Sequence, residues 1–191
     1  MTPISLGIFA SANQSAPATS FESIATVTVG SGGSSSITFS SIPATYAHLQ
    51  IRALGRSTRA NTNDSVAARF NSDTTGYGTT GHVLYGNGSS VSASSDWISG
   101  SSNYAYIGEI CGDNAGTNIF GVFVTDILDY ANTNKYKTVR LLGGHDRNGG
   151  GTINLGSSFW EDTSAISSIT LTVTGDWKQY SHVALYGIKS A

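Results

Sequence analysis

TVTVGSGGSSSITFSSIP, from Thr26 to Pro43, is followed almost at once by AHLQIRALGR, from Ala47 to Arg56. Together the two segments contain three runs in which apolar and polar residues alternate, and glycine, serine or proline stands between the runs. Alternation with a period of two places successive side chains on opposite faces of a strand, and Gly, Ser and Pro supply the turns between strands. This stretch therefore predicts antiparallel β-sheet.

Similar strand patterns continue to the end of the 191-residue chain. Beyond Arg56 they cover residues 66–70, 82–85, 104–110, 119–130, 138–142, 151–159, 166–173 and 182–188. We count about eleven candidate strands and find no ten-residue helical pattern, which is typical of two packed sheets. The prediction is an all-β, antiparallel β-sandwich of jelly-roll type, with a closed barrel as the structural alternative.

Two of these segments carry further expectations. In residues 119–130 apolar side chains occur on both faces, as in Phe120, Val122 and Val124 on one and Phe123 on the other, which predicts a central strand covered on both sides. The Gly/Ser-rich segment GNGSSVSASSD, from Gly86 to Asp96, is expected to be a loop.

The N-terminal segment differs from the rest of the chain. Its apolar residues Leu6, Ile8 and Phe9 precede the polar, Pro-containing run SANQSAPATS. Exposed apolar side chains on a free terminus are unfavourable, so we expect these three to be buried on the parent domain or on a neighbouring subunit. The prediction is an N-terminal arm over residues 1–20 and a single sandwich domain over residues 21–191.

Composition argues against several classes of protein. Only 12% of residues are charged, against roughly 25% in an average soluble domain, and the net charge of −2 gives no basic surface for nucleic acid. The N-terminus has no basic region and only a short apolar run, so we expect neither a signal peptide nor a membrane span. We therefore expect a protein that is made in a cytoplasm. Cys111 is the only cysteine, which rules out a disulfide within the chain.

The most site-like stretch is GGHDRNGGG, from Gly143 to Gly151. The side chains of His145 and Asp146 diverge in an extended chain, and no GxSxG motif supplies a nucleophile, so we expect a hairpin loop in which Asp146 and Asn148 cap turns. Glycosidases use a pair of carboxylates as acid and nucleophile. The candidates for such a pair are Glu109, Asp126, Asp129, Glu161 and Asp162. Their separation cannot be read from the sequence, and we expect no enzyme.

Asx-rich segments raise the question of calcium. NTND at 61–64, DNAGTN at 113–118 and the loop around Asp146 offer oxygen ligands, but none has the spacing of an EF-hand loop. Such turns also arise for backbone reasons alone. The four histidines lack the close spacing of zinc ligands. We expect no cofactor and no metal site, and leave structural calcium open.

Aromatic residues near the ends of candidate strands suggest a different kind of site. Tyr77, Trp97 and Trp160 have the apolar ring and polar group with which aromatic side chains stack on sugars or anchor protein interfaces. The alternative is packing at the edge of the core.

Both ends of the chain resemble structural proteins of tailed bacteriophages. TSAISSITLTVTGDWKQYSHVALYGIKSA, from Thr163 to Ala191, resembles a recurring ending of phage virion proteins, in which a strand, a polar loop and a last strand close in LYGI. SFESIATVTVGSGGSSSITFSSIPATYAHLQIR, from Ser20 to Arg52, is similar to the N-terminal strands of the same group. FNSDTTGYGTTGHVLYGNGSS, from Phe70 to Ser90, is similar to its variable loop and short strand.

The resemblance implies a non-enzymatic assembly role in the virion. The leading expectation is a capsid cement or decoration protein that binds the major capsid protein or other virion subunits, as a homo-oligomer and without nucleic acid or membrane partners. The candidate partner contacts are Leu6, Ile8 and Phe9 together with the outward-facing His48, Gln50, Arg52 and Arg56. The alternative is a tail or tail-fibre module that binds host surface glycans through Tyr77, Trp97 and Trp160.

Overall fold

The computed structural model describes residues 20–77, 81–94 and 103–189. These residues form twelve strands and one short 3₁₀ turn at Asp113–Ala115. The strands are β1 (Phe21–Thr28), β2 (Ser34–Phe39), β3 (His48–Gly55), β4 (Asn63–Phe70), β5 (His82–Gly86), β6 (Val91–Ser94), β7 (Ala105–Cys111), β8 (Gly121–Leu128), β9 (Lys137–Asp146), β10 (Gly151–Trp160), β11 (Ile169–Trp177) and β12 (His182–Ile188). Among the described residues, no helix has the length and apolar character needed to cross a membrane.

The strands form two antiparallel sheets that pack as a sandwich. The larger sheet has the order β1-β12-β3-β8-β9-β10-β5-β6, and the smaller has the order β2-β11-β4-β7. The predicted all-β sandwich is confirmed. Because the described strands form two separate open sheets, the alternative of a closed barrel is wrong.

The C-terminal strands interlock with the N-terminal ones in both sheets. Strand β12 lies between β1 and β3 and pairs with each of them. Strand β11 lies in the same way between β2 and β4. Neither sheet can therefore be completed until the two ends of the chain have met.

The alternation predicted for the third strand is confirmed. In β3 the side chains of Leu49 and Ile51 are fully buried between the sheets, whereas Arg52 on the opposite face is exposed. Each fully buried side chain of this kind stabilises the fold by about 1.5–3 kcal/mol. The largest buried side chains of the core are Trp160, Trp177, Tyr130, Phe70 and Phe123.

Two hairpins differ from the sequence expectation. Residues 91–94 form the edge strand β6, which pairs with β5, instead of continuing the predicted loop. The turn before β6 is held by Asn87, whose side-chain oxygen accepts hydrogen bonds from the N–H groups of Ser89 (3.1 Å) and Ser90 (2.9 Å). A four-residue, Ser-rich strand has the composition of a loop, so its pairing was not visible in the sequence.

The second hairpin joins β9 and β10, and its strands continue into the segment predicted as a loop. Asn148 and Gly149 both have positive φ, at 54° and 114°, and the Arg147 N–H donates to the Gly150 carbonyl at 2.7 Å. This is the geometry of a two-residue type I′ turn. The Asn148 N–H donates to the Asp146 carboxylate at 2.7 Å, which confirms the predicted capping role of Asp146.

A buried lysine joins two loops at one end of the sandwich. The Lys137 ammonium group is fully buried and donates hydrogen bonds to the backbone carbonyls of Asn132 (2.7 Å), Lys135 (3.0 Å), Thr163 (3.0 Å) and Asp162 (3.3 Å). Burial lowers the pKa of Lys137. The four carbonyls replace the water that this charge loses on folding.

We predict that Lys137→Met destabilises the protein by on the order of 3 kcal/mol, because it leaves these carbonyls without their donor. The free energy of unfolding is measured by urea titration. The matched control is Lys135→Met, since Lys135 is 53% exposed and forms a surface ion pair with Asp129. That control should change stability by at most about 1 kcal/mol. Equal effects of the two substitutions would contradict the assignment.

Candidate interaction surface

The outer face of the eight-stranded sheet contains a large group of exposed aliphatic side chains. Eight of them are between 37% and 72% exposed, and they come from six neighbouring strands. They are Leu54, Leu84, Val91, Val122, Val124, Leu142, Ile153 and Leu155. We call these eight residues the apolar face.

The strand register places these side chains in two adjacent rows. The first row runs across β8, β9, β10, β5 and β6 through the directly paired residues Val124, Leu142, Leu155, Leu84 and Ala93. The second row starts in β3 and runs through Leu54, Val122, Gly144, Ile153, Gly86 and Val91. Paired residues on one face of a sheet lie about 5 Å apart at Cβ, so the apolar face is continuous.

Strand β8 was predicted to be covered on both sides. Its inner residues Phe123 and Ile127 are buried between the sheets. On its outer side Val122 is 50% exposed and Val124 is 37% exposed, with no described part of the chain over them. The prediction is therefore confirmed for the inner face, and for the outer face it is wrong within the described part of the chain.

A hydrogen-bonded polar network borders the apolar face. The Arg52 guanidinium donates to the Gln50 side chain, which donates to Asp126, and Arg140 donates to the second oxygen of Asp126, each at 2.8 Å. Arg52 is paired with Val124, so the network begins directly beside the first apolar row. Arg140 binds the Asp126 carboxylate directly and Arg52 is linked to it through Gln50, so the network contains two positive charges and one negative charge.

Three of the predicted contact residues lie on this outer face. Gln50 and Arg52 belong to the network, and Arg52 also lies over the ring of Phe21, 4.9 Å from its centre. His48 precedes them on the same side of β3 and accepts a hydrogen bond at Nδ1 from the Asp129 N–H, at 3.0 Å. Their expected placement on one outward face is confirmed, and their contact with a partner stays a prediction.

Arg56 is placed differently from the prediction. It is only 7% exposed, and its guanidinium donates hydrogen bonds to the carbonyls of Gly116, Ile119 and Asp113. Strand β3 ends at Gly55, so the alternation that would have turned Arg56 outward stops one residue earlier. The prediction that Arg56 belongs to an outward contact face is wrong.

Carboxylates of the Asx-rich segments bind hydrogen-bond donors and cations of the protein itself. Asp113 forms ion pairs with Lys178 (2.6 Å) and Arg56 (3.2 Å), and hydrogen bonds from these two groups lower its pKa. Asp64 is buried and accepts hydrogen bonds from two backbone N–H groups of β11 and from Arg59. In the described part of the chain, no cluster of three or more His, Cys, Asp or Glu residues is arranged to hold a metal ion.

Two of the three aromatic residues proposed for glycan contact belong to the core. Tyr77 is 3% exposed and Trp160 is 1% exposed, and their rings stack on each other with centres 6.3 Å apart. The Trp160 indole N–H donates to the Asp73 carboxylate at 2.8 Å, and burial raises the pKa of Tyr77 to about 12. Neither ring is free to stack on a sugar, so the prediction is wrong for these two. Trp97 lies outside the described residues.

The residues predicted for the N-terminal arm also lie outside the described part of the chain, except Ser20. Its carbonyl accepts a hydrogen bond from the Lys189 N–H at 2.9 Å. The contacts expected for Leu6, Ile8 and Phe9 therefore stay predictions.

Two residues that the sequence marked separately come together between the sheets. The side chains of Glu109 in β7 and His145 in β9 are each 1% exposed, with Glu109 Oε1 4.0 Å from His145 Nδ1. The Thr152 hydroxyl donates to the same Glu109 oxygen at 3.2 Å. As predicted, His145 and Asp146 diverge, with Asp146 on the exposed side. Burial raises the pKa of Glu109 and lowers that of His145, so both are favoured in their neutral forms.

Comparison of the chain with protein-family models, with curated proteins and with solved structures finds no match. Support for a function therefore comes from the surface and the buried residues of this chain. The resemblance of its two ends to phage virion proteins stays a prediction.

We predict that Glu109→Gln stabilises the protein relative to wild type as pH rises above 4.5, the ordinary pKa of this carboxyl. A raised pKa means that the folded state holds the proton more tightly, so the wild type loses stability as pH rises through the folded pKa. Each unit of the raised pKa is worth about 1.4 kcal/mol.

The measurement is urea unfolding of both proteins between pH 4 and pH 8. Glu161→Gln, which removes an exposed carboxylate, is the control for the loss of one negative charge. A difference between Glu109→Gln and wild type that does not change with pH would contradict the buried-carboxyl assignment.

Proposed function

We propose that this chain is a non-enzymatic structural protein of a bacteriophage virion, namely a capsid cement or decoration protein that binds major capsid subunits. The observation that carries the proposal is the apolar face. The sandwich already has a core between its sheets, and yet it presents eight further aliphatic side chains on its outside. Contiguous exposed apolar surface of this kind marks sites of interaction with other molecules.

The energetics favour attachment through several contacts. Fully burying a Val or Leu side chain contributes about 1.5–3 kcal/mol, so eight half-exposed side chains offer on the order of 8 kcal/mol. Association costs about 4–15 kcal/mol in lost freedom of motion. Because the two terms are similar, the apolar face needs additional contacts or several linked copies to hold the protein firmly. A homo-oligomer on a symmetric shell supplies both.

The resemblance of residues 20–52 and 163–191 to phage virion proteins gives the proposal its location. It supports a location on the virion, with the major capsid protein or other virion subunits as the proposed partners. Leu6, Ile8 and Phe9 are proposed to hold a neighbouring subunit, and His48, Gln50 and Arg52 to form the polar border of the contact.

A structural role is also supported by the state of the candidate catalytic carboxylates. Glu109 is buried between the sheets. Asp126 is bound by Gln50 and Arg140, and Asp129 forms an ion pair with Lys135. Three of the five candidate carboxylates therefore have a structural role in the fold.

The alternative, a tail or tail-fibre module that binds host glycans, has less support. Tyr77 and Trp160 are in the core, which leaves Trp97 as the proposed contact. The eight residues of the apolar face are all aliphatic, whereas stacking on sugars uses aromatic rings. The apolar face therefore favours contact with protein.

The proposal predicts that a three-dimensional reconstruction of purified phage particles shows the sandwich on the outside of the head, in symmetry-related copies. Particles assembled without this chain should lack that density and should lose their DNA at a lower temperature. Density at a fibre tip would favour the alternative. Purified particles that contain no copies of the chain would overturn the proposed role.

The arm has its own test. Deleting residues 1–19 should lower the occupancy of the sandwich on particles while the isolated variant keeps its unfolding midpoint, because the deletion ends before Ser20, whose carbonyl binds Lys189, and before β1. Tyr136→Ala, at an exposed residue outside the apolar face, is the control and should leave occupancy unchanged. Full occupancy of the deletion variant would refute the proposed contact of the arm.

A further inference from the structure

We infer that the apolar face pairs with the same face of a second copy, so that two eight-stranded sheets pack against each other in a two-fold dimer. This inference rests on the proposed assembly role and assigns the apolar face to contact between two copies of the chain, which leaves contact with the shell to the N-terminal arm. It can be tested on the isolated protein, without a virion.

The first support is the order of charges along β9. From Arg140 onward its outward-facing residues are Arg140, Leu142, Gly144 and Asp146, so a positive charge and a negative charge lie at opposite ends of an apolar centre. The Arg140 side chain is 64% exposed, and Asp146 is also exposed. Six residues of strand separate them, or about 20 Å.

The neighbouring Arg147 does not cancel the charge of Asp146 on this face. Its side chain is half-buried and its Nε atom is enclosed by protein, whereas Asp146 is exposed. The opposite border carries two positive charges, Arg140 bound to Asp126 and Arg52 linked to the same carboxylate through Gln50. The outer face is therefore positive at one end of β9 and negative at the other.

A two-fold axis that lies between the sheets and perpendicular to β9 makes the two copies of β9 antiparallel. Arg140 of each copy then faces Asp146 of the other, and the pair forms twice. Packing with the strands parallel would instead place like charges opposite each other. The surface is thus electrostatically complementary to itself in one relative orientation.

The second support is shape, and it selects the same register. When Arg140 lies opposite Asp146, Leu142 lies opposite Gly144 of the second copy, because both pairs are centred on residue 143. Strand β5 is paired through β10 in the same rows, so Leu84 lies opposite Gly86. Leucine side chains that stand above the sheet therefore meet positions that have no side chain.

The remaining positions of the two rows fit this register as well. Ile153 lies opposite Leu155 in β10, Val122 opposite Val124 in β8, and the larger Val91 opposite Ala93 in β6. Sheets that pack face to face are about 10 Å apart and keep their strands within about 30° of each other, so this correspondence is approximate at the edges. Its centre, at β9 and β10, is where both supports coincide.

The width of the apolar face suits a dimer interface. Five strand spacings across the apolar face span about 24 Å, and stable interfaces bury about 800 Å² per partner around an apolar centre with a polar border. The apolar face provides the centre, and the network of Arg52, Gln50, Asp126 and Arg140 provides one border. The turn at 146–150 provides the other.

The test is sedimentation equilibrium of the isolated full-length chain across a range of concentrations. The wild type should be a dimer, and Leu142→Asp should be a monomer with an unchanged unfolding midpoint at low concentration. Tyr136→Asp, which places the same charge on an exposed residue outside the apolar face, should remain a dimer.

Charge exchange tests the register. Arg140→Asp and Asp146→Arg should each raise the dissociation constant of the dimer on the order of tenfold, because two ion pairs become two repulsions. The double variant should restore the dissociation constant toward that of the wild type. A double variant weaker than either single one would overturn the antiparallel register.

Other occupants of the apolar face give different outcomes. A wild type that is monomeric at all concentrations would overturn self-pairing. If such a monomer still binds phage particles, the proposed virion role stands and the shell covers the face. A monomer that dimerises only when residues 1–19 are deleted would show that the N-terminal segment covers the face, and would also overturn the inference. A dimer that is absent from particles would support self-pairing and refute the virion role.

Discussion

The pairing of the two ends of the chain is the constraint on which the rest of the structure depends. Strand β12 separates β1 from β3, and β11 separates β2 from β4, so both sheets are held together by contacts between residues far apart in sequence. Strand β3 pairs with β12 on one side and with β8 on the other, and its pairing with β8 places the first apolar row next to the network of Arg52 and Gln50. The residues of the outer face are brought together by the order of the strands in the sheet, and no single segment of the sequence contains them all.

Local alternation made much of this fold predictable. The inward and outward sides of β3 and the bounds of β12 follow from the sequence, since one residue of shift would exchange core and solvent sides. The buried charges did not follow. Lys137 and Arg56 are buried because loop carbonyls surround them, and several of these, such as those of Thr163 and Ile119, are far away in the sequence. The pairing of Glu109 with His145 depends in the same way on how the sheets pack.

The outer apolar face was present in the sequence as an incomplete signal. The apolar pattern of β8 predicted cover on both sides, and the second sheet covers only the inner one. Leu142, Ile153 and Leu155 lie in strands whose candidate segments suggested no exposed face, because register alone brings them together. The difference between predicted cover and observed exposure led to the proposal that assembly completes the structure.

The central claim is that other molecules of the assembly cover the apolar face, and carbene footprinting of side chains in the isolated protein tests it most directly. This reaction labels aliphatic side chains that solvent can reach. As concentration rises, labelling of Leu84, Leu142 and Leu155 should fall severalfold, while labelling of the exposed Tyr136 stays constant. Labelling of the three leucines that does not change with concentration, either alone or on assembled particles, would contradict the account.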